Sequence, residues 1–146
     1  MASCSKIERY ILKYVNKSRR KRGRNSLENN RGLKSVARNH SRHMAKKGKI
    51  WHGKGVHIAK ENISHRKGFW GFIESLFSSY SYSSGGENVA MTSSGKSSEN
   101  IARSFHKMWM KSLGHKRNIL DPKFSLIGIG VKKSRKGYFA TELFYG

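Results

Sequence analysis

Apolar residues recur in the first third of the chain at helical spacing. Ile7, Tyr10, Ile11, Tyr14 and Val15 fall at i, i+3, i+4, i+7 and i+8, which predicts an amphipathic helix of about fifteen residues. The helix runs into the basic segment Lys17–Arg24, where Gly23 marks the stop. Leu27 is expected as a buried anchor in the following loop. Asn30 is placed to cap a second helix with Leu33, Val36, Ala37, His40 and Met44 on its apolar side, fraying around Lys46–Gly48. On that stripe His40 faces the core, whereas His43 lies off it and is exposed.

A third amphipathic stripe, Ile101, Phe105, Met108 and Trp109, follows Ser97, an expected N-cap with Glu99 in the first turn. Gly114 is expected to end this helix, presenting His115 on a turn. Elsewhere the period is two. Gly86–Met91 reads as a short buried strand opening with Glu87. Ile127, Ile129 and Val131 alternate toward one face, Lys132–Gly137 is a polar turn and Tyr138–Phe144 returns, predicting an antiparallel hairpin. Between Gly53 and Gly86 the pattern is weakest: a short helix around Ile58–Ser64, an aromatic cluster from Phe69 to Phe77, and a Ser/Tyr/Gly-rich loop over Ser78–Gly86. Several helices and one small, mainly antiparallel sheet make an α+β protein, with the sheet between helices in a three-layer α–β–α sandwich. At 146 residues the chain, 1–146, reads as one domain, with residues 1–5 a mobile tail.

Charge changes the picture more than composition does. There are 31 Lys+Arg against 8 Asp+Glu, a formal net charge of +23. Such a field attracts polyanions. Arg19, Arg20, Lys21, Arg22 and Arg24 are the densest candidates for an anionic-surface site. The same run also reads as a solvated helix end complementing the helix dipole. Because basic residues are spread over the whole chain, general adaptation of the surface is weighed above a nucleic-acid partner, and an anionic polymer or envelope surface stays open. Cys4 is the one cysteine, so no intrachain disulfide forms. No run of 18 apolar residues exists to span a membrane. The first residues lack the apolar core of a secretory leader. There is no HExxH, P-loop, Rossmann glycine pattern or GxSxG serine.

Four segments taken in order carry a resemblance: Gly86-Glu87-Asn88-Val89-Ala90, Trp109-x5-His115-x2-Asn118-Ile119-Leu120, Leu126–Val131 with its IGIGV, and the closing aromatic strand Tyr138–Phe144. Together they resemble the CAP superfamily, which includes the cysteine-rich secretory, antigen 5 and pathogenesis-related proteins, and its prokaryotic SCP-domain branch in particular. The resemblance spans roughly Ile7 to Phe144 and implies the sandwich inferred above. It also implies a central cleft in which His52, just past the second helix, faces His115, with Glu87 beside them. Such a group suits Zn²⁺ or another borderline divalent cation, with water at the open positions. It is equally able to work without metal, Glu87 acting as general base.

The fourth acidic position of the family's cleft is Ser112 here, which weakens a tight metal site and a paired-carboxylate mechanism; Glu61 and Glu142 are the candidates to replace it. Asn88 and Ser112 read as hydrogen-bonding supports of the cleft. Since most members bind or signal without an agreed reaction, the resemblance implies an exported binding protein rather than an enzyme, secreted or in the cell envelope, with its leader outside this sequence. A zinc-dependent hydrolase of peptides or envelope polymers and a nucleic-acid or anionic-polymer binder remain as alternatives, and an intracellular protein is still open.

Overall fold

The computed structural model describes residues 2–53, 85–93 and 95–146. In chain order these form α1 (Cys4–Lys21), β1 (Glu28–Asn29), α2 (Arg31–Lys47), β2 (Gly85–Thr92), α3 (Ser98–Lys111), α4 (Leu113–Leu120), β3 (Leu126–Ser134) and β4 (Gly137–Tyr145). The expected helix at 58–64, the aromatic cluster at 69–77 and all but the end of the 78–86 loop lie outside the described residues.

The sheet order is β1-β3-β4-β2. The β3–β4 hairpin and the β2–β4 pair are antiparallel, and the two-residue β1 runs parallel to β3. Alternation along the strands sorts side chains to two faces. On one face Ile127, Ile129, Val131, Tyr138, Ala140 and Phe144 meet Ile7, Ile11 and Val15 of α1, Phe105 and Trp109 of α3 and Ile119 of α4. On the other, Leu33 and Ala37 of α2 pack on Leu143 and Tyr145, and Met44 packs on Val89 and Phe139. This is the expected α–β–α layering, in a sheet that is mainly antiparallel.

Two glycines explain how α2 lies so close. A Cβ at Gly128 would come within 2.1 Å of the Leu33 backbone, and one at Gly130 within 2.1 Å of the Arg38 backbone. The IGIGV alternation therefore places bulk on the face toward α1, α3 and α4 and none on the face toward α2. Beside this contact Ser41 Oγ donates to the Gly130 carbonyl at 2.7 Å and lies 2.8 Å from Thr141 Oγ1, satisfying polar groups that are wholly buried.

Several helix ends follow the sequence signals. Gly23 takes φ +70° after α1, and Gly48 takes φ +68° as the left-handed cap of α2. Asn30 accepts from the Leu33 N–H, and Ser97 from the Asn100 N–H. Others depart from them. Cys4 and Ser5, assigned to a mobile tail, open α1, and Cys4 is half-buried against the core. Met108 is exposed, and Ala102 takes its place on the buried stripe of α3. Gly114 ends no helix: Ser112, at φ −99° and ψ 123°, breaks the chain, and helix resumes at Leu113. His115 therefore sits in the first turn of α4 rather than on a turn.

Candidate functional site

The site forms where the two helical layers meet at β2, an edge strand among the described residues. Consecutive strand residues point to opposite faces, so Glu87 and Asn88 serve different layers. Glu87 turns toward the chain leaving α2. Its Oε1 accepts from the Gly53 N–H at 2.8 Å and lies 3.1 Å from His52 Nδ1. A carboxylate only accepts, so His52 Nδ1 carries a proton, and in the neutral ring Nε2 keeps its lone pair. Asn88 turns toward α4 and is fully buried. Its Nδ2 donates to the His115 carbonyl at 3.1 Å and to Glu142 Oε1 at 3.1 Å.

Asn118 closes this arrangement from α4. Its Nδ2 donates to Asn88 Oδ1 at 2.9 Å and approaches the Glu87 carbonyl at 3.3 Å. A Cβ at Gly86 would stand 2.8 Å from Asn118 Oδ1, so a side chain just before Glu87 would displace the Asn118 amide. Trp109 Nε1 donates to the Val89 carbonyl at 3.2 Å and fastens α3 to the same strand. The two sequence motifs, about 30 residues apart along the chain, are thus one hydrogen-bonded unit.

The His52 and His115 rings face each other with centroids 6.4 Å apart. His52 is largely exposed, at 65 % of its side chain, whereas Glu87 retains 7 %. Burial, then the neighbouring His52, pushes His115 below the usual histidine range, which favours its neutral form. Glu87 Oε2 is buried without a hydrogen-bond partner among the described residues.

The three residues expected as ligands are brought together in unequal roles. One Glu87 oxygen is engaged by His52 and Gly53, an outer-shell position that fixes a histidine's tautomer and orientation. The donors beside it are the two imidazoles. No group of three or more His, Cys, Asp or Glu is arranged to hold a metal among the described residues. A catalytic zinc centre uses three protein ligands, and the described residues bring together two imidazoles and one carboxylate already engaged by His52 and Gly53. Ser112 is exposed at the α3–α4 junction, where its carbonyl accepts from the Lys116 N–H. No hydrogen bond from its side chain caps α4.

Glu142 does not replace the missing acid beside the histidines. It lies under Asn88, wholly buried, and burial pushes its carboxyl up to about 8 despite the Asn88 hydrogen bond. Glu61 lies outside the described residues. His40 is half-buried rather than in the core: its Nε2 lies 2.7 Å from the Trp51 carbonyl and its ring meets the Trp51 ring edge-on. It supports the chain that presents His52. Sequence reasoning missed Gly53 as a backbone donor and Asn118 as the bridge between the motifs. Asn118 stands inside the GHKRNIL run, which offered the signal.

Among the five basic residues considered for anion binding, Arg19 does not belong to the surface. It is fully buried, and its guanidinium donates to the carbonyls of Asn25, Ile119, Asp121 and Phe124 at 2.7–3.2 Å. Arg20, Lys21, Arg22 and Arg24 are exposed.

Comparison with known proteins bears on the family and the fold. Residues 12–145 match the cysteine-rich secretory protein family, CAP. The chain belongs to this family. It is 30% identical to the uncharacterized protein YkwD of Bacillus subtilis, over 99% of this chain and 49% of that protein, so it spans about half the length of this relative. Two solved structures share the fold. One is an extracellular SCP-domain protein of Bacillus anthracis, with TM-score 0.63, 23% identity, and coverage of 94% of this chain and 39% of that one. The other is an outer surface protein of Borrelia burgdorferi, with TM-score 0.70, 16% identity, and coverage of 98% and 94%. No helix among the described residues is long and apolar enough to cross a membrane.

Proposed function

We propose that this CAP domain is an exported, non-enzymatic binding module whose cleft takes a divalent cation between His52 and His115. The observation that carries the reading is the Glu87–His52 contact: it holds the proton on Nδ1 and leaves Nε2 as the donor, opposite a His115 biased toward its neutral form. A bound cation would supply a Lewis-acidic centre for an anionic or carbonyl group of the ligand. The protein's own part is to orient both rings, through Glu87 for His52 and through Asn88 and Asn118 for α4. The extracellular and outer-surface character of the structural relatives supports export.

Calorimetric titration of chelator-treated protein with Zn²⁺ tests this. The unmodified protein is expected to bind one equivalent, and the doubly substituted His52→Ala, His115→Ala protein none. Glu87→Gln is expected to weaken binding by about 10–100-fold, as loss of an orienting outer-shell carboxylate does. Equal affinity in the unmodified and double-alanine proteins would refute the proposal.

A further inference from the structure

The basic residues are scattered in sequence, but the fold gathers some of them and buries or pairs four of the six described carboxylates. Of the acids described, Glu8 is buried in an ion pair with Arg38, Glu142 is buried, Glu87 is tied to His52 and Glu99 to Tyr14 and Arg103. Local neutralisation of the exposed cations is therefore slight.

The clearest gathering lies where α1 and α4 end. Buried Arg19 binds carbonyls of the loop after α1, the end of α4 and the loop after α4, which fixes these segments against one another. Arg24 adds a 3.1 Å bond from Nε to the Leu120 carbonyl. The exposed residues carried by this frame are Arg20, Lys21, Arg22, Arg24, Arg117 and Lys123. Among the described residues two carboxylates stand against the six cations: Asp121, half-buried and accepting from the Lys123 N–H, and Glu28 on β1. No ion pair within the group is formed.

We infer that this platform binds the phosphate backbone of a nucleic-acid duplex, independently of the cleft. Four of the six cations are arginines, whose guanidinium fork matches phosphate oxygens. The frame is held from within, so little ordering is needed on contact. No Phe, Tyr or Trp occurs between Asn16 and Asn25 or between Leu113 and Lys123, so these two segments offer no aromatic ring on which unpaired bases would stack. Helix ends with this excess of cations suit backbone contacts that fix position without reading sequence.

The experiment is fluorescence anisotropy with a labelled DNA duplex, a single strand and poly-glutamate, each across a salt series. The comparison is between R20Q/R22Q/R24Q/R117Q and a charge-matched control, K6Q/R9Q/K13Q/K107Q, altered at exposed positions elsewhere. Because Arg24 also bonds the α4 terminus, R20Q/R22Q/R117Q serves as the second variant should the first not fold. The platform variant is expected to lose about 100-fold or more in duplex affinity at 0.1 M salt, and its log–log salt slope to shrink by about 0.9 for each phosphate contact removed. The control is expected to lose far less. Equal losses in both variants would overturn the platform in favour of a diffuse field. Tighter binding of the single strand or of poly-glutamate than of the duplex would overturn the assignment of the partner.

Discussion

Replacing Arg19 with methionine should destabilise the protein more than any other single change in the basic run. The side chain is completely buried, and its guanidinium satisfies four backbone carbonyls from three parts of the chain. Methionine keeps much of the volume and none of the donors. Ile119 and Phe124 are buried residues, so their carbonyls lose a partner where water is scarce, whereas those of Asn25 and Asp121 lie beside exposed or half-buried residues. A buried acceptor left unpaired costs about 1–3 kcal/mol. Two such groups give about 2–6 kcal/mol, partly offset because a cation without a carboxylate partner no longer has to be desolvated. The expected net loss is about 2–4 kcal/mol, a large part of the ~5–15 kcal/mol typical of a domain.

Urea unfolding, with the midpoint and m-value both fitted, measures it. Arg19→Lys is the informative companion: it keeps the charge but lacks the planar fork, and should lose most of the same stability. A methionine variant within about 0.5 kcal/mol of the parent, the range of ordinary surface changes, would refute the clamp. A lysine variant equal to the parent would show that charge rather than fork geometry is what matters.

Two further predictions concern the sheet. Gly130→Ala drives a Cβ into the α2 backbone, which cannot yield as a side-chain tip would, and should cost about 2–3 kcal/mol, seen as a fall in Tm of several degrees. Glu142→Gln should remove a pH dependence. The folded carboxyl titrates at about 8 against an ordinary 4.5, so both states are protonated below the lower value and no penalty exists there. As pH rises from about 4.5 toward 8 the unfolded chain ionises alone, and stability falls by up to about 1.4 kcal/mol per pH unit before levelling off. Glutamine keeps the acceptor for Asn88 and does not titrate, so the variant should gain on the parent across that window; parallel stability curves would contradict this.

Much of the frame was legible because its signals are local. The spacing of Ile7, Ile11 and Val15, the caps at Asn30 and Ser97, and the left-handed glycines at 23 and 48 each depend on a few neighbouring residues. β1 was not, since two residues show no alternation. Gly114 misled because a glycine after an amphipathic stripe looks like a cap, yet the extended Ser112 already breaks the helix. Arg19 could not be separated from its cationic neighbours, because three of its four carbonyl partners lie about 100 residues away. The cleft followed from the family resemblance, but not the division of labour within it. Whether Glu87 is a ligand or a positioning group depends on the Gly53 N–H and on the face from which His52 arrives, and neither is written in the motif. The same holds for Glu142, whose burial under Asn88 is a matter of strand register.

The central claim, that His52 and His115 form one cation site oriented by Glu87, is tested most directly by following histidine side-chain NMR signals during Zn²⁺ titration of chelator-treated protein. The account predicts that the His52 and His115 signals move together and saturate at one equivalent, while those of His40, His43 and His106 stay in place. It also predicts that Glu87→Gln shifts the saturation point to higher zinc. Still signals at both cleft histidines, or a weak and equal response from all seven, would contradict it.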